Sequence, residues 1–228
     1  MMLLALDTSG PAASVAVLGD GTLLYEARVL NQLTHSRNLM PMVDEALNKS
    51  GKTLKELAYI AAVTGPGSFT GVRIGVAAAQ GLARGLGIHC IPVNALEAMA
   101  SSIVMPDLVI CPIRDARAGQ VYGAAFSNGV RLMPDAAMKL DLFLSDAGRL
   151  GQRLFFLGDG ALAYGALIQE ALGSRALLAP PHLMLPGAAA AAVLAGQRLE
   201  HAVPPGGLKP VYLRAPQAER LRKERHEG

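Results

Sequence analysis

Residues 2–29 read MLLALDTSGPAASVAVLGDGTLLYEARV. An apolar run over residues 2–8 ends in the polar turn Asp7-Thr8-Ser9-Gly10. A second run covers Ala13–Leu18. After Gly19-Asp20-Gly21, a third covers Thr22–Val29. Three short apolar runs joined by two glycine turns predict an antiparallel meander. A dinucleotide-binding domain would pass from its first strand straight into a helix, so this opening excludes it.

Thr34–Ser50 follows, with Leu39, Met40, Val43, Ala46 and Leu47 on one helical stripe. Thr34 or Ser36 suits its start and Gly51 its stop. Pro41 lies beyond the first turn and should bend the helix. A short helical turn at Thr53–Leu57 leads to a strand at Tyr59–Val63. Next comes VTGPGSFTGVRIG, residues 63–75, and a second helix over Ser68–Gly85. A strand at Gly87–Val93 and a helix at Ala95–Val104 complete the first half. After Pro106 the pattern restarts: strand Leu108–Ile113, hairpin Arg114–Gln120, strand Val121–Phe126, strand Leu154–Leu157, helices Ala161–Leu172 and Gly187–Leu199. A strand–turn–strand opening therefore occurs twice, without a letter-by-letter repeat. Residues 1–105 and 106–214 read as two α/β lobes, and 215–228 as a basic tail. Pro134–Arg153 has weak periodicity and no assigned elements.

The glycine loop permits two readings. Free N–H groups at a helix start and the helix dipole favour an anion, and Gly65 and Gly67 would let a phosphate approach. Ser68 is placed as the helix N-cap. Yet neither GxxxxGK[ST] nor GxGxxG is present, so a purely structural strand-to-helix turn is equally open. Arg73 is either an anion ligand or, preferably, a brace to a carboxylate such as Asp7. Asp7, Thr8 and Ser9 could hold a hydrated cation and phosphate, or form a self-satisfied Asx-type turn. Asp115 and Arg117 in DARAG carry the same ambiguity.

Composition narrows the classes. Half of the 228 residues are apolar, 51%, which supplies a sizeable core without any Trp. Net charge is only +3, a weak signal for direct nucleic-acid binding. The exception is RAPQAERLRKER, Arg214–Arg225, read as a solvated terminus or as an RNA-binding tail. Cys90 and Cys111 sit in apolar runs and read as buried thiols in a reducing compartment. MMLLALDTSG has no basic leader region and no stretch is long enough to span a membrane, so the cytosol is expected.

LALDTS, HSRNLMPMVDEAL, GPGSFTGVRIG, DARAGQVY and KPVYLR occur in this order. Together they resemble the TsaB (YeaZ) family, partner proteins in bacterial threonylcarbamoyl modification of tRNA adenosine beside the anticodon. The resemblance spans residues 1–214. It implies a two-lobe actin/Hsp70/sugar-kinase-like (ASKHA) α/β fold with ribonuclease-H-like lobes. It places Asp7-Thr8-Ser9 and Arg114–Gln120 where active relatives flank phosphates, and makes Asp7, Thr8, Ser9, Gly65, Gly67, Ser68, Arg73, Asp115 and Arg117 a vestigial phosphate-like site.

The resemblance further implies a non-catalytic scaffold that pairs with the transferase TsaD and works with the ATPase TsaE. In TsaD a histidine pair four residues apart binds metal. Here Ala95 and Met99 stand at those places, so no metal site and no catalytic residue are expected. Cofactors of its own are likewise not expected, ATP or ADP being placed only at the partner interface. The implied docking surface is a four-helix seam made by the first two helices. Leu39, Met40, Val43, Ala46 and Leu47 would contribute from the first, and Val72, Val76, Ala79, Gln80 and Ala83 from the second. The same stripes equally suit packing on this chain's own sheet. Alone, the seam should self-pair into a homodimer, and tRNA would be met only through the complex. A small-molecule kinase of the same fold is the alternative function. His35, a lone imidazole at a helix start, reads as a cap or surface group.

Overall fold

The computed structural model describes residues 1–31 and 33–214. The meander is present: β1 (Met2–Asp7), β2 (Ala13–Gly19) and β3 (Thr22–Val29) pair antiparallel. β4 (Tyr59–Gly65) then joins β1 in parallel and β5 (His89–Asn94) joins β4, giving the order β3-β2-β1-β4-β5.

The second sheet repeats this plan. β6 (Val109–Asp115), β7 (Gln120–Ser127) and β8 (Val130–Lys139) form a meander. β9 (Leu154–Leu157) and β10 (Ala176–Leu178) add in parallel beyond β6, giving β10-β9-β6-β7-β8. Two ribonuclease-H-like sheets in series make the two-lobe ASKHA fold. The connections between parallel strands carry helices: α1 (His35–Lys49) and α2 (Phe69–Leu86) in the first lobe, α4 (Leu140–Ala147) and α5 (Asp159–Leu172) in the second. β8 and α4 fill the stretch without assigned elements. The charged hairpin is tighter than expected. Arg114 and Asp115 end β6, and only residues 116–119 turn.

Two further helices exchange lobes. α3 (Ala95–Ser101) follows the first sheet, but its Leu96, Met99 and Ala100 pack in the second lobe's core. α7 (Ala188–Gly196), reached through the short α6 (Pro181–Met184), lies after the second sheet. Its alanines cover the first sheet against Leu3, Ala5, Ala16 and Val63. Residues 203–211 return to the same lobe: Val203 bridges Cys90 and the Val211 N–H donates to the Thr64 carbonyl at 2.8 Å. The first sheet is thus covered on both faces, and β1, β2 and β4 are almost wholly buried. That is why they read as continuous apolar runs rather than alternating ones.

The α1 and α2 stripes require a correction. Leu39, Val43, Ala46, Leu47, Val72, Val76, Ala79 and Ala83 are all buried in the first lobe's own core. Of the expected seam residues only Met40 is exposed, while Gln80 is half-buried and donates to the Leu208 carbonyl at 2.7 Å. The strongest apolar period on a helix marks the face turned to its own sheet. The outward face carries Met40 and Pro41 on α1 and Arg73, Ala77, Gly81 and Gly85 on α2. α1 runs through Pro41 to Lys49 without interruption. The basic tail after Arg214 lies outside the described residues. Among the described residues, no helix is long and apolar enough to cross a membrane.

Candidate functional site

The ends of β1, β4, β6 and β9 converge on a cleft of about 480 Å³ between the lobes. Ser9, Gly67, Ser68 and Phe69 line one side, Arg114, Asp115, Arg117 and Asp159 the other, and residues 211–214 close an end. Most of the expected phosphate-like residues are therefore brought together at this cleft.

The glycine loop is shaped by close packing on β1. A Cβ at Gly67 would collide with the Ser9 carbonyl, and one at Gly71 with the Thr8 carbonyl. The Ser68 N–H donates to the Ser9 carbonyl at 2.8 Å, and the Thr8 hydroxyl donates to the Gly71 carbonyl at 2.7 Å. Ser68 caps α2 as expected, its hydroxyl accepting from the Gly71 N–H at 3.2 Å. These contacts supply a structural reason for the glycines: they seat the start of α2 on the end of β1.

Asp7 is engaged locally. Its Oδ1 accepts from the Ser9 N–H at 2.8 Å and the Ser9 hydroxyl at 2.5 Å, an Asx-type turn. The brace to its other oxygen is not Arg73. Arg73 faces outward, donates from Nε to the Tyr212 hydroxyl at 3.0 Å and lies 4.1 Å over the Phe69 ring. Arg73 sits one turn into α2 on its outward side, so it stacks on aromatics at the rim rather than reaching the buried Asp7.

Arg114 takes the bracing place. Its side chain is only 5% exposed. It donates from Nη2 to the Ser9 hydroxyl at 2.8 Å, lies 3.6 Å from Asp7 Oδ2, and donates from Nη1 to Asp159 Oδ1 at 3.2 Å. Asp159 Oδ2 also accepts from the Asp115 N–H at 3.2 Å. Neither Arg114 nor Asp159 was singled out in the sequence. The available signal was a charge closing an otherwise apolar run, VICPIR, at the first position of the expected hairpin.

The 116–119 turn is held from Asp115. Its Oδ1 accepts from the Arg117 N–H at 2.8 Å and from the Tyr164 hydroxyl at 2.8 Å. Burial first, then the Asp115 carboxylate, pushes the Tyr164 phenol above its ordinary pKa. Arg117 and Ala118 both take positive φ, +66° and +53°, an unfavourable conformation for side-chain-bearing residues. Arg117 projects into solvent and pairs with Asp115 at 3.3 Å. His35 makes no cap. Its Nε2 lies 3.0 Å from the Gly10 carbonyl at the cleft edge.

Ala95 and Met99 are buried on α3, Met99 within the second lobe's core. Among the described residues, no three His, Cys, Asp or Glu side chains are grouped to hold a metal. Both thiols are free and buried. Burial pushes Cys90 up to about 11 and Cys111 higher still.

Comparison with known proteins places this geometry. The family model described as TsaD, tRNA N6-adenosine threonylcarbamoyltransferase, matches residues 30–221. The chain is 33% identical to "tRNA threonylcarbamoyladenosine biosynthesis protein TsaB" of Bacillus subtilis, over 96% of each chain. The chain belongs to the TsaB family. The Escherichia coli protein of the same name is 34% identical over 94% of this chain and 95% of its own. Among solved structures, YeaZ from Pseudomonas aeruginosa superposes with a TM-score of 0.75 at 29% identity, covering 93% of this chain and 99% of that one. Component A of (R)-2-hydroxyglutaryl-CoA dehydratase from Acidaminococcus fermentans matches at TM-score 0.53 and 14% identity, covering 88% and 99%. That likeness extends to the fold alone. The family model carries the transferase's name, whereas the near-full-length relatives are TsaB proteins. Matching both chains end to end, the relatives fix which branch this chain occupies.

Proposed function

We propose that this chain is a non-catalytic scaffold for threonylcarbamoyl transfer to the tRNA adenosine beside the anticodon. In this reading it pairs with TsaD, works with TsaE, and meets tRNA only through the complex. It carries no cofactor of its own, and any nucleotide belongs to the partner interface. Alone it self-pairs into a homodimer.

The observation that supports the reading is the contrast between cleft and outer helices. The cleft's carboxylates are spent on internal partners: Asp7 on Ser9 and Arg114, Asp159 on Arg114, Asp115 on Arg117 and Tyr164. Among the described residues, each of these cleft carboxylates already has an internal partner, whereas phosphoryl transfer to a hydroxyl uses a carboxylate free to act as general base. Outside, α2 presents Ala77, Gly81 and Gly85, and the spaces beside Gly81 and Gly85 are open. A face of small residues lets a second helix approach closely.

The test is size-exclusion chromatography with light scattering, with and without purified TsaD. A homodimer that converts to a one-to-one heterodimer is expected. Ala77→Glu should abolish both pairings while leaving the far-ultraviolet circular dichroism spectrum of the folded chain unchanged; its melting temperature should fall only by what dimerisation contributes. A monomer indifferent to TsaD, or ATP turnover by the chain alone, would overturn the reading in favour of a kinase-like enzyme. Val76→Glu makes a poor probe of docking, because it buries a charge in the core and unfolds the lobe.

A further inference from the structure

Arg114 belongs to the second lobe, yet two of its partners belong to the first. Its guanidinium reaches Ser9 and Asp7 at the end of β1 while Asp159 holds it from its own lobe. The fit is close: a Cβ at Gly10 would overlap Nη1. Nε is buried without a hydrogen-bond partner, so the two terminal nitrogens supply the polar compensation. A buried guanidinium is tolerated only where its charge is met, and here two carboxylates meet it. In proteins built from two lobes around a cleft, relative motion is the default when little crosses the opening. We propose that Arg114 is a resident strut that fixes the opening of this cleft, doing with a side chain what a bound ligand would do from outside.

The strut has two ends with different duties. Asp159 aims the guanidinium, and its second oxygen is fixed by the Asp115 N–H, so the aim is set by the strand-to-helix turn after β9. Asp7 and Ser9 receive it. Ser9 is itself anchored, because its N–H and hydroxyl both donate to Asp7 and its carbonyl accepts from Ser68. Force on one lobe therefore passes through Arg114 into the β1 turn and on to the start of α2. Other ties join the two parts as well: half-buried Arg214 donates to the Ala116 carbonyl at 3.3 Å, and Arg28 of β3 donates to the Leu185 and His182 carbonyls, but both of these end on neutral backbone oxygens. This inference concerns the isolated chain and does not depend on the partner proposed above.

The experiment measures lobe separation directly. Spin labels are placed at Lys55→Cys in the first lobe and Arg149→Cys in the second, both exposed sites. Cys90 and Cys111 are buried and stay unlabelled. Electron–electron resonance, with the labelled protein diluted into an excess of unlabelled protein so that distances within one chain are read, should give one narrow distribution, unchanged by magnesium and ATP. Arg114→Met should broaden it and shift its mean. A second variant separates the strut from the cost of stranded charge: Arg114→Met with Asp7→Asn and Asp159→Asn leaves no unpaired carboxylate. It should recover much of any lost melting temperature and still show the broad distribution. A narrow, unshifted distribution in Arg114→Met overturns the proposal. Where that single variant does not fold, the same result in the triple variant overturns it.

Discussion

The turn after β4 and the turn after β9 occupy equivalent places in the two sheets. Each opens with a glycine of positive φ, Gly65 at +117° and Gly158 at +102°. Each leans a helix start on the strand that opens its lobe. Gly67 and Gly71 rest on the Ser9 and Thr8 carbonyls, and Gly158 and Gly160 on the backbone of Ile113 and Arg114. They differ in electrostatics. The first turn is closed by neutral contacts from Ser68 and Thr8, the second by the charge of Asp159. A neutral turn can only complete its own lobe. The charged one needs a cation, and that cation also reaches the other lobe. The comparison teaches that the glycines serve packing in both places, and that the second turn alone carries the charge which couples the lobes.

Glycine substitutions test the shared part. Gly158→Ala meets both a positive φ and the Ile113 carbonyl, and should cost about 3–5 kcal/mol. Gly71→Ala meets the Thr8 carbonyl and, less closely, the Ser68 side chain, but has no positive φ and lies within a helix, where Ala's propensity returns part of the loss. It should cost about 1–3 kcal/mol. Urea midpoints rank the two, and the reverse order would break the equivalence of the turns.

Single hydrogen bonds sharpen the difference. Thr8→Val removes the buried hydroxyl that ties β1 to α2 and should cost about 1–2 kcal/mol at any pH. Tyr164→Phe removes a bond to Asp115, which keeps its Arg117 N–H, and should cost about 0.5–1 kcal/mol. The Tyr164 loss depends on pH. Its folded pKa is raised, so the contribution is full below the unfolded value of roughly 10 and disappears as pH rises through the folded one. Thermal melts at pH 7 and in the alkaline range should show the Tyr164→Phe deficit shrinking, while the Thr8→Val deficit stays constant.

How much of this was legible follows from burial. β1, β2 and β4 have apolar neighbours on both faces and read plainly as strands. β8 does not. It is an edge strand, exposed or half-exposed throughout, with Pro134 inside, so neither alternation nor a continuous run marks it. β10 is three residues long. α7 reads as a helix but shows no apolar face, because alanine surrounds it, so its return to the first sheet leaves no trace in the letters. The site was legible as a set of turns and illegible as a network. Asp7 and Ser9 stand in a recognisable turn, but their partner is 105 residues away for Ser9, and only the repeated sheet topology brings Arg114 there. The α1 and α2 stripes were read correctly as apolar. Burial assigns them inward, and the face left for a partner is the one with the weaker pattern.

An effect as small as that of Tyr164→Phe lies outside the cleft lining, where the exchanged helices meet. Glu97 on α3 accepts from Arg198, just past α7, at 2.6 Å, with Arg131 of β8 at 3.8 Å. The Arg198 hydrogen bond, with smaller help from nearby positive charge, holds the Glu97 carboxyl below its ordinary range. A depressed folded pKa contributes stability above the unfolded value, roughly 4.3, and loses it as pH falls through the folded one. The pair is partly open to solvent, so about 0.5–1 kcal/mol is expected. Glu97→Gln should therefore melt slightly below the parent at pH 7, and the two melting curves should converge as pH falls below that range. The two charged ties then separate by experiment. Loss of the hinge-side pair lowers stability without moving the spin-label distances, because α3 and α7 stay packed through Leu96, Ala188 and Ala191. Loss of Arg114 should move the distances, because it removes the buried charged contact that joins Asp159 to Asp7 and Ser9.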